Sequence, residues 1–171
     1  LMLCADDWED DLLFDSNVIV DLSRIGSPDT KALLMGILVI KLQEYRMQNS
    51  EPDSPLKHIT VLEEAHNLIK KTSTEQTAEG ANVAGKSVEM LSNAIAEMRT
   101  YGEGFIIVDQ SPGLLDKAVI RNTNTKILLN LPDIEDRKIV GKAAGLTDNQ
   151  IDELTKLERG VAVVHQSDWL E

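Results

Sequence analysis

Two glutamates side by side, Glu63 and Glu64, close the apolar run Ile59-Thr60-Val61-Leu62. Adjacent carboxylates at the end of a dry strand can divide their work. One holds Mg²⁺ through water, and the next polarises a water that attacks a γ-phosphate. A second apolar run, Phe105 to Val108, ends in Asp109 and Gln110 ahead of Ser111-Pro112. Gln110 can both donate and accept, which suits a group that contacts the γ-phosphate or the lytic water. Each motif alone also fits a plainer description, an acidic solvated turn for the first and a Ser-Pro turn for the second. Asn122 and Asn124 stand before a further apolar run and would lie at the edge of such a site or at a subunit interface, although Asn is an ordinary turn residue.

The elements that must position these groups are legible in outline. Asn17 to Asp21 (NVIVD), His58 to Glu63, Phe105 to Asp109, Lys126 to Leu131 and Gly160 to His165 read as short buried strands. Between them lie helical signals. Ser27-Pro28 opens a helix to about Met47 whose middle is apolar nearly all round, so deep packing is expected. Val88, Leu91, Ile95 and Met98 mark one face of a second helix, with Gly102 as its stop. Leu114 to Ile120 is a short helix, and Asp133 to Ala144 a longer one that ends at Gly145. Thr147 and Gln150 have capping-box spacing for a last helix that turns Ile151 and Leu154 inward. Residues 70–85 read as a mobile loop. Strands alternating with helices predict an α/β fold, a mostly parallel sheet with helices on both faces, in one domain over residues 1–171. In such sheets ligands bind beyond the carboxyl ends of the strands, which is where Asp21 and Ser23, Glu63 and Glu64, and Asp109 and Gln110 fall.

Composition narrows the class. The chain has 171 residues, a net charge of −12 and a single cysteine, Cys4, so no internal disulfide forms, and a reduced, cytoplasmic setting is expected. The longest apolar run, Ala32 to Ile40, is too short for a bilayer, which needs about 20 residues, and no membrane association is expected. The acidic start (residues 1–16) reads as a solvated or frayed face. So acidic a surface repels a phosphate backbone, and DNA would have to meet a local basic loop or a pore assembled from several subunits. His58, His66 and His165 show no metal-ligand spacing and read as structural or surface residues.

Taken together, VLEEAHNL, then AEMRTYGEGFIIVDQSP, then VIRNTNTKILLNL resemble the HerA-type branch of the HerA/FtsK ATPases, from about Asn17 to the C-terminus. The resemblance implies the C-terminal part of a RecA-like P-loop NTPase core that lacks its Walker A segment. It makes Glu63 the metal-side Walker B residue, where an aspartate is usual; its longer side chain favours water-mediated contact with Mg²⁺. It makes Glu64 the catalytic glutamate, Gln110 the sensor, and Arg99 in RTYG an arginine finger that reaches a neighbouring subunit's nucleotide. As a plain residue, Arg99 also fits the end of a helix, where the dipole favours a cation. The resemblance further implies ATP and Mg²⁺ as cofactors, a ring hexamer, DNA as the translocated partner and a nuclease as an associated enzyme. The competing reading is a non-catalytic ATPase-like module that serves in assembly. A response-regulator receiver fails on the order of its aspartates. A DEAH-type helicase, suggested by EEAH, lacks the Ser-Ala-Thr motif.

Gly80 to Ser87 (GANVAGKS) matches the phosphate-loop pattern G-x-x-x-x-G-K-[ST]. That loop needs a buried strand before it, and Lys70 to Glu79 (KKTSTEQTAE) is too polar to be one. The match also follows the Glu63-Glu64 strand when it should precede it. The pattern is read as coincidental, and the true loop is expected upstream of Leu1. Lys86→Ala in the complete gene product should therefore leave ATP affinity nearly unchanged in a fluorescent-nucleotide titration; a large loss would overturn this assignment.

Overall fold

A computed structural model describes residues 9–69 and 90–167. Gly80 to Ser87, Lys86 and the predicted loop 70–85 fall outside the described residues. The fold is mixed α/β: α1 (Asp10–Phe14), α2 (Pro28–Asn49), β1 (His58–Glu63), α3 (90–98), β2 (Glu103–Val108), α4 (Lys117–Asn122), β3 (Thr125–Leu128), α5 (Ile134–Ala143), α6 (Asp148–Glu153) and β4 (Val163–Gln166). β1 pairs with β2, and β3 with β4. The Lys57 amide donates to Gly102 O where β1 and β2 begin, and Gln110 donates to Glu64 just past where they end, so this pair runs parallel. The chain separates into two compact units, residues 1–62 with 93–107 and residues 63–92 with 108–171.

The first unit is organised around a buried ion network. Ser27 caps α2 through the Thr30 amide, with Pro28 in the first turn. One stripe of α2, Leu34, Val39, Leu42 and Arg46, is buried. Arg46 Nε donates to Glu103 Oε2 at 2.8 Å and its Nη2 to Phe14 O. Glu103 opens β2 and is almost wholly buried; its Oε1 also accepts from Thr60 Oγ1 (2.6 Å) and lies 2.9 Å from His58 Nδ1. Burial opposes the Arg46 charge, but hydrogen bonds from its guanidinium to Asp15 and Glu103 outweigh it and hold its pKa above the ordinary value. Gly102, at φ 83°, closes the turn before β2, and a Cβ there would sit 2.5 Å from Pro55 O, so glycine is required on both counts.

Two expectations are corrected in this unit. Residues 17–21 form no strand, and Ile19 is 94 % exposed. No described strand pairs with the run, and an extended segment without a ladder leaves its amides to water. Asp21 instead accepts the Ser23 amide at 2.8 Å, which holds its carboxyl below the usual range. The apolar middle of α2 is only half covered, because Leu33, Ile37 and Ile40 face solvent. In residues 9–16 the acids Glu9, Asp10, Asp11 and Asp15 are exposed, while α1 packs on α2, Phe14 is buried, Asp10 pairs with Lys41, and Asp15 binds Arg46 and Tyr45.

In the second unit, Asp133 caps α5 by accepting the Glu135 and Asp136 amides, and Gly145 at φ 70° follows its end. Thr147 and Gln150 form the predicted capping box of α6. Leu128, Val140, Ala144 and Leu154 make the core here, with Leu131, Leu146, Leu157 and Val163 against it. Gly141 allows the close approach of α6, since a Cβ would lie 2.5 Å from Ile151 Cγ1. β4 runs antiparallel to β3, from Leu128 opposite Val163 to Thr125 opposite Gln166. Two helices separate these strands. Asn130 Nδ2 donates to Thr155 O and Leu157 O, so the chain leaving α6 is tied beside the end of β3 and β4 starts from there.

The strands also expose more than expected. Ile59 and Val61 on β1, Ile106 and Val108 on β2, Ile127 on β3 and Val164 on β4 are all open to solvent, so each strand has only one covered side.

Glu103→Gln should cost about 1–3 kcal/mol in urea unfolding, because Arg46 would lose its buried charged partner and keep only the half-exposed Asp15. A shift within error would remove the network from its central place. Tyr45 donates to Asp15 Oδ2 at 2.6 Å. That bond, burial and the Asp15 charge push Tyr45 up to about 12, and Tyr45 followed by Arg46 holds Asp15 below its ordinary value of 3.8. The tyrosine contribution is thus complete below its ordinary value of 10.0 and disappears as pH rises towards about 12. The stability gap between wild type and Tyr45→Phe should shrink over that window; a constant gap would refute the coupling.

Candidate active site

All of the strand-end groups after β1 and β2 belong to the second unit. β1 finishes at Glu63, whose side chain is open to solvent. The next residue, Glu64, stands in the left-handed region at φ 53°, ψ 47°. That conformation costs a non-glycine residue about 1–2 kcal/mol, so its surroundings must hold it. Two donors from Asn67, its amide and its side-chain Nδ2, both reach Glu64 O at 2.9 Å. A one-turn 3₁₀ helix, Ala65–Asn67, follows, and Leu68 and Ile69 bury the chain beyond it.

β2 delivers Asp109 and Gln110 beside this turn. The Asp109 side chain is only 3 % exposed. Its Oδ2 accepts the His66 amide at 2.8 Å and lies 2.9 Å from His66 Nδ1, and its Oδ1 accepts the Ser111 amide at 2.8 Å. A carboxylate only accepts, so Nδ1 of His66 carries the hydrogen. Gln110 Nε2 donates to Glu64 Oε1 at 2.7 Å. His66 Nδ1 is 3.6 Å from Glu64 Oε2, too far for a hydrogen bond. The turn after Gln110 is fixed from α5, where Asp136 Oδ1 accepts the Gly113 amide at 2.8 Å. Asp116, the cap of α4, donates its amide to Ile69 O at 3.1 Å, a second tie between the two turns.

The structure therefore brings Glu64 and Gln110 into direct contact, with Glu63 next to Glu64 in the chain. Asn122 ends α4 and Asn124 precedes β3. Their turn is braced by Lys126 Nζ, which donates to Thr123 O at 2.6 Å, and Asn124 O accepts the Ser167 amide. Burial pushes the Lys126 ammonium below its ordinary value. Arg99 lies in the first unit, exposed, in the 3₁₀ turn Arg99–Tyr101 after α3. Sequence reasoning placed Asp109 at a strand end without a role and treated His66 as structural. The signal for the pair was spacing: an acid at one strand end and a histidine three residues past the glutamate that ends the other.

For Mg²⁺, no group of three or more His, Cys, Asp or Glu side chains among the described residues is arranged to hold a metal. Mg²⁺ bound with a nucleotide needs only one or two carboxylates, the rest being water and phosphate, and the exposed Glu63 carboxylate fits that smaller role. Glu64 is 41 % exposed and Gln110 is also open, so a phosphate has access to both. No helix among the described residues is long and apolar enough to cross a membrane.

Over 149 residues, 85 % of the chain, the sequence is 29 % identical to the DNA double-strand break repair helicase HerA of Sulfolobus acidocaldarius. The chain is similar to the HerA helicases. The same identity holds over 151 residues against HerA of Saccharolobus solfataricus, and a probable HerA of Methanocaldococcus jannaschii is 30 % identical over 107 residues. The chain spans 28 % of the length of the first two relatives and 19 % of the third. No protein-family model matches it. In fold it is similar to the genome packaging NTPase B204 of Sulfolobus turreted icosahedral virus 2, solved in complex with AMP. That likeness has a TM-score of 0.58 at 12 % identity and covers 94 % of this chain and 67 % of that one. It establishes the fold alone, an α/β fold shared with this NTPase.

Proposed function

We propose that this chain forms the hydrolytic edge of an ATP-driven DNA translocase of HerA type. The observation that carries the reading is the 2.7 Å hydrogen bond from Gln110 to Glu64, made where two parallel strands end and held by a left-handed backbone at Glu64. In this reading Glu64 polarises the water that attacks the γ-phosphate, and Glu63 contributes to Mg²⁺ through water. The bound Mg²⁺ would neutralise charge on the β- and γ-phosphates. Gln110 holds the Glu64 carboxylate through this bond. A γ-phosphate that accepts from the Gln110 amide would release that carboxylate to the water.

Asn122 and Asn124 line the site edge, and Arg99 serves a neighbouring subunit's nucleotide, where a guanidinium stabilises transition-state charge. These assignments go with a ring hexamer that passes DNA through its pore beside a nuclease partner. The HerA relatives, named as helicases of double-strand break repair, support that context. Tight ATP binding also needs a phosphate-gripping loop that we assign to none of these 171 residues. The chain by itself should then turn over ATP poorly.

Glu64→Gln in the complete gene product should lower kcat for ATP by about 10²–10⁴-fold, the range for loss of a positioned base, with ATP affinity retained. Hydrolysis at the wild-type rate would remove the catalytic assignment.

A further inference from the structure

We propose that His66 and Asp109 form a positioning clamp that fixes the turn at Glu64 and ties its aim to Gln110. The inference rests on the reading of Glu64 as the water-polarising residue and adds two residues to which that reading gives no part.

The geometry assigns the roles. Glu64 is held in a conformation that its own backbone disfavours, and such residues persist only where the surroundings over-determine them. Asn67 secures the carbonyl side of the turn with two hydrogen bonds. Asp109 secures the other side, because its Oδ2 takes both the backbone amide and the ring Nδ1 of His66. A buried carboxylate must have its lone pairs satisfied, and Asp109 does so with donors from both turns, the third being the Ser111 amide.

Asp109 and Gln110 are consecutive, and so nearly are Glu64 and His66. The clamp therefore locks the two turns in one register. A shift of Gln110 towards a phosphate pulls on the residue that anchors Glu64. Because the ring N–H of His66 is committed to Asp109, it does not compete for the Glu64 carboxylate, which remains available to Gln110. His66 acts through Glu64 and is a positioning residue.

The test is steady-state ATP hydrolysis by the complete gene product carrying His66→Ala, His66→Asn or His66→Gln, with Glu64→Gln alongside. The Asn side chain places an N–H near the position of Nδ1, whereas the Gln amide reaches past it. His66→Ala and His66→Gln should lower kcat by about tenfold to a hundredfold, the usual effect of losing a group that orients a catalytic one, with little change in KM for ATP. His66→Asn should restore most of kcat. Wild-type kcat in His66→Ala beside an inactive Glu64→Gln would overturn the clamp and leave the proposed function standing. Equal losses in His66→Asn and His66→Gln, both with the wild-type thermal transition, would overturn it as well, even if His66→Ala does not fold. Normal hydrolysis by Glu64→Gln would remove the function and the clamp together.

Discussion

The arrangement at the strand ends depends on one buried carboxylate. Asp109 has almost no contact with water, yet its oxygens meet donors from the turn after β1 and the turn after β2. Without it, the left-handed residue at Glu64 would keep its intrinsic cost and lose half of its support. The cost of orphaning a buried acceptor, about 1–3 kcal/mol or more for a charged group, makes this connection hard to break by thermal motion. Precision at the site thus comes from an anchor that is itself withdrawn from solvent.

A second buried acid performs a comparable task in the other unit. Glu103 gathers Arg46, His58 and Thr60, and so joins α2 to the starts of β1 and β2. Such pairs are weak sources of net stability but strict selectors of geometry once formed, since removing one partner strands the other. Both acids sit at strand termini, where a loop enters or leaves and register would otherwise be least defined.

Local signals carried most of the fold in the sequence. The capping box at Thr147 and Gln150, the Ser27-Pro28 start of α2 and the Gly102 and Gly145 stops are chemical rules read within a few residues, and each appears where expected. β1 matches its predicted span, and Glu64 meets Gln110 as the two strand ends suggested. Residues 17–21 misled because an apolar extended run specifies willingness to pair without supplying the neighbour. The antiparallel return of β4 was hidden for a related reason, since strand direction follows the path of α5 and α6 and not the composition of Val163–Gln166. Glu103 and Asp109 were illegible as anchors because their partners lie 57 and 43 residues away, at Arg46 and His66, and no periodicity links them.

The uncovered sides of the strands have a practical meaning for handling the molecule. Ile59, Val61, Ile106, Ile127 and Val164 present branched apolar groups to water on short pleated segments. Such surfaces favour edge-to-edge or face-to-face self-association. The net charge of −12 opposes this by mutual repulsion. Colloidal behaviour should consequently depend on ionic strength: salt that screens the acidic shell would let these faces meet, so preparations are best kept dilute and low in salt.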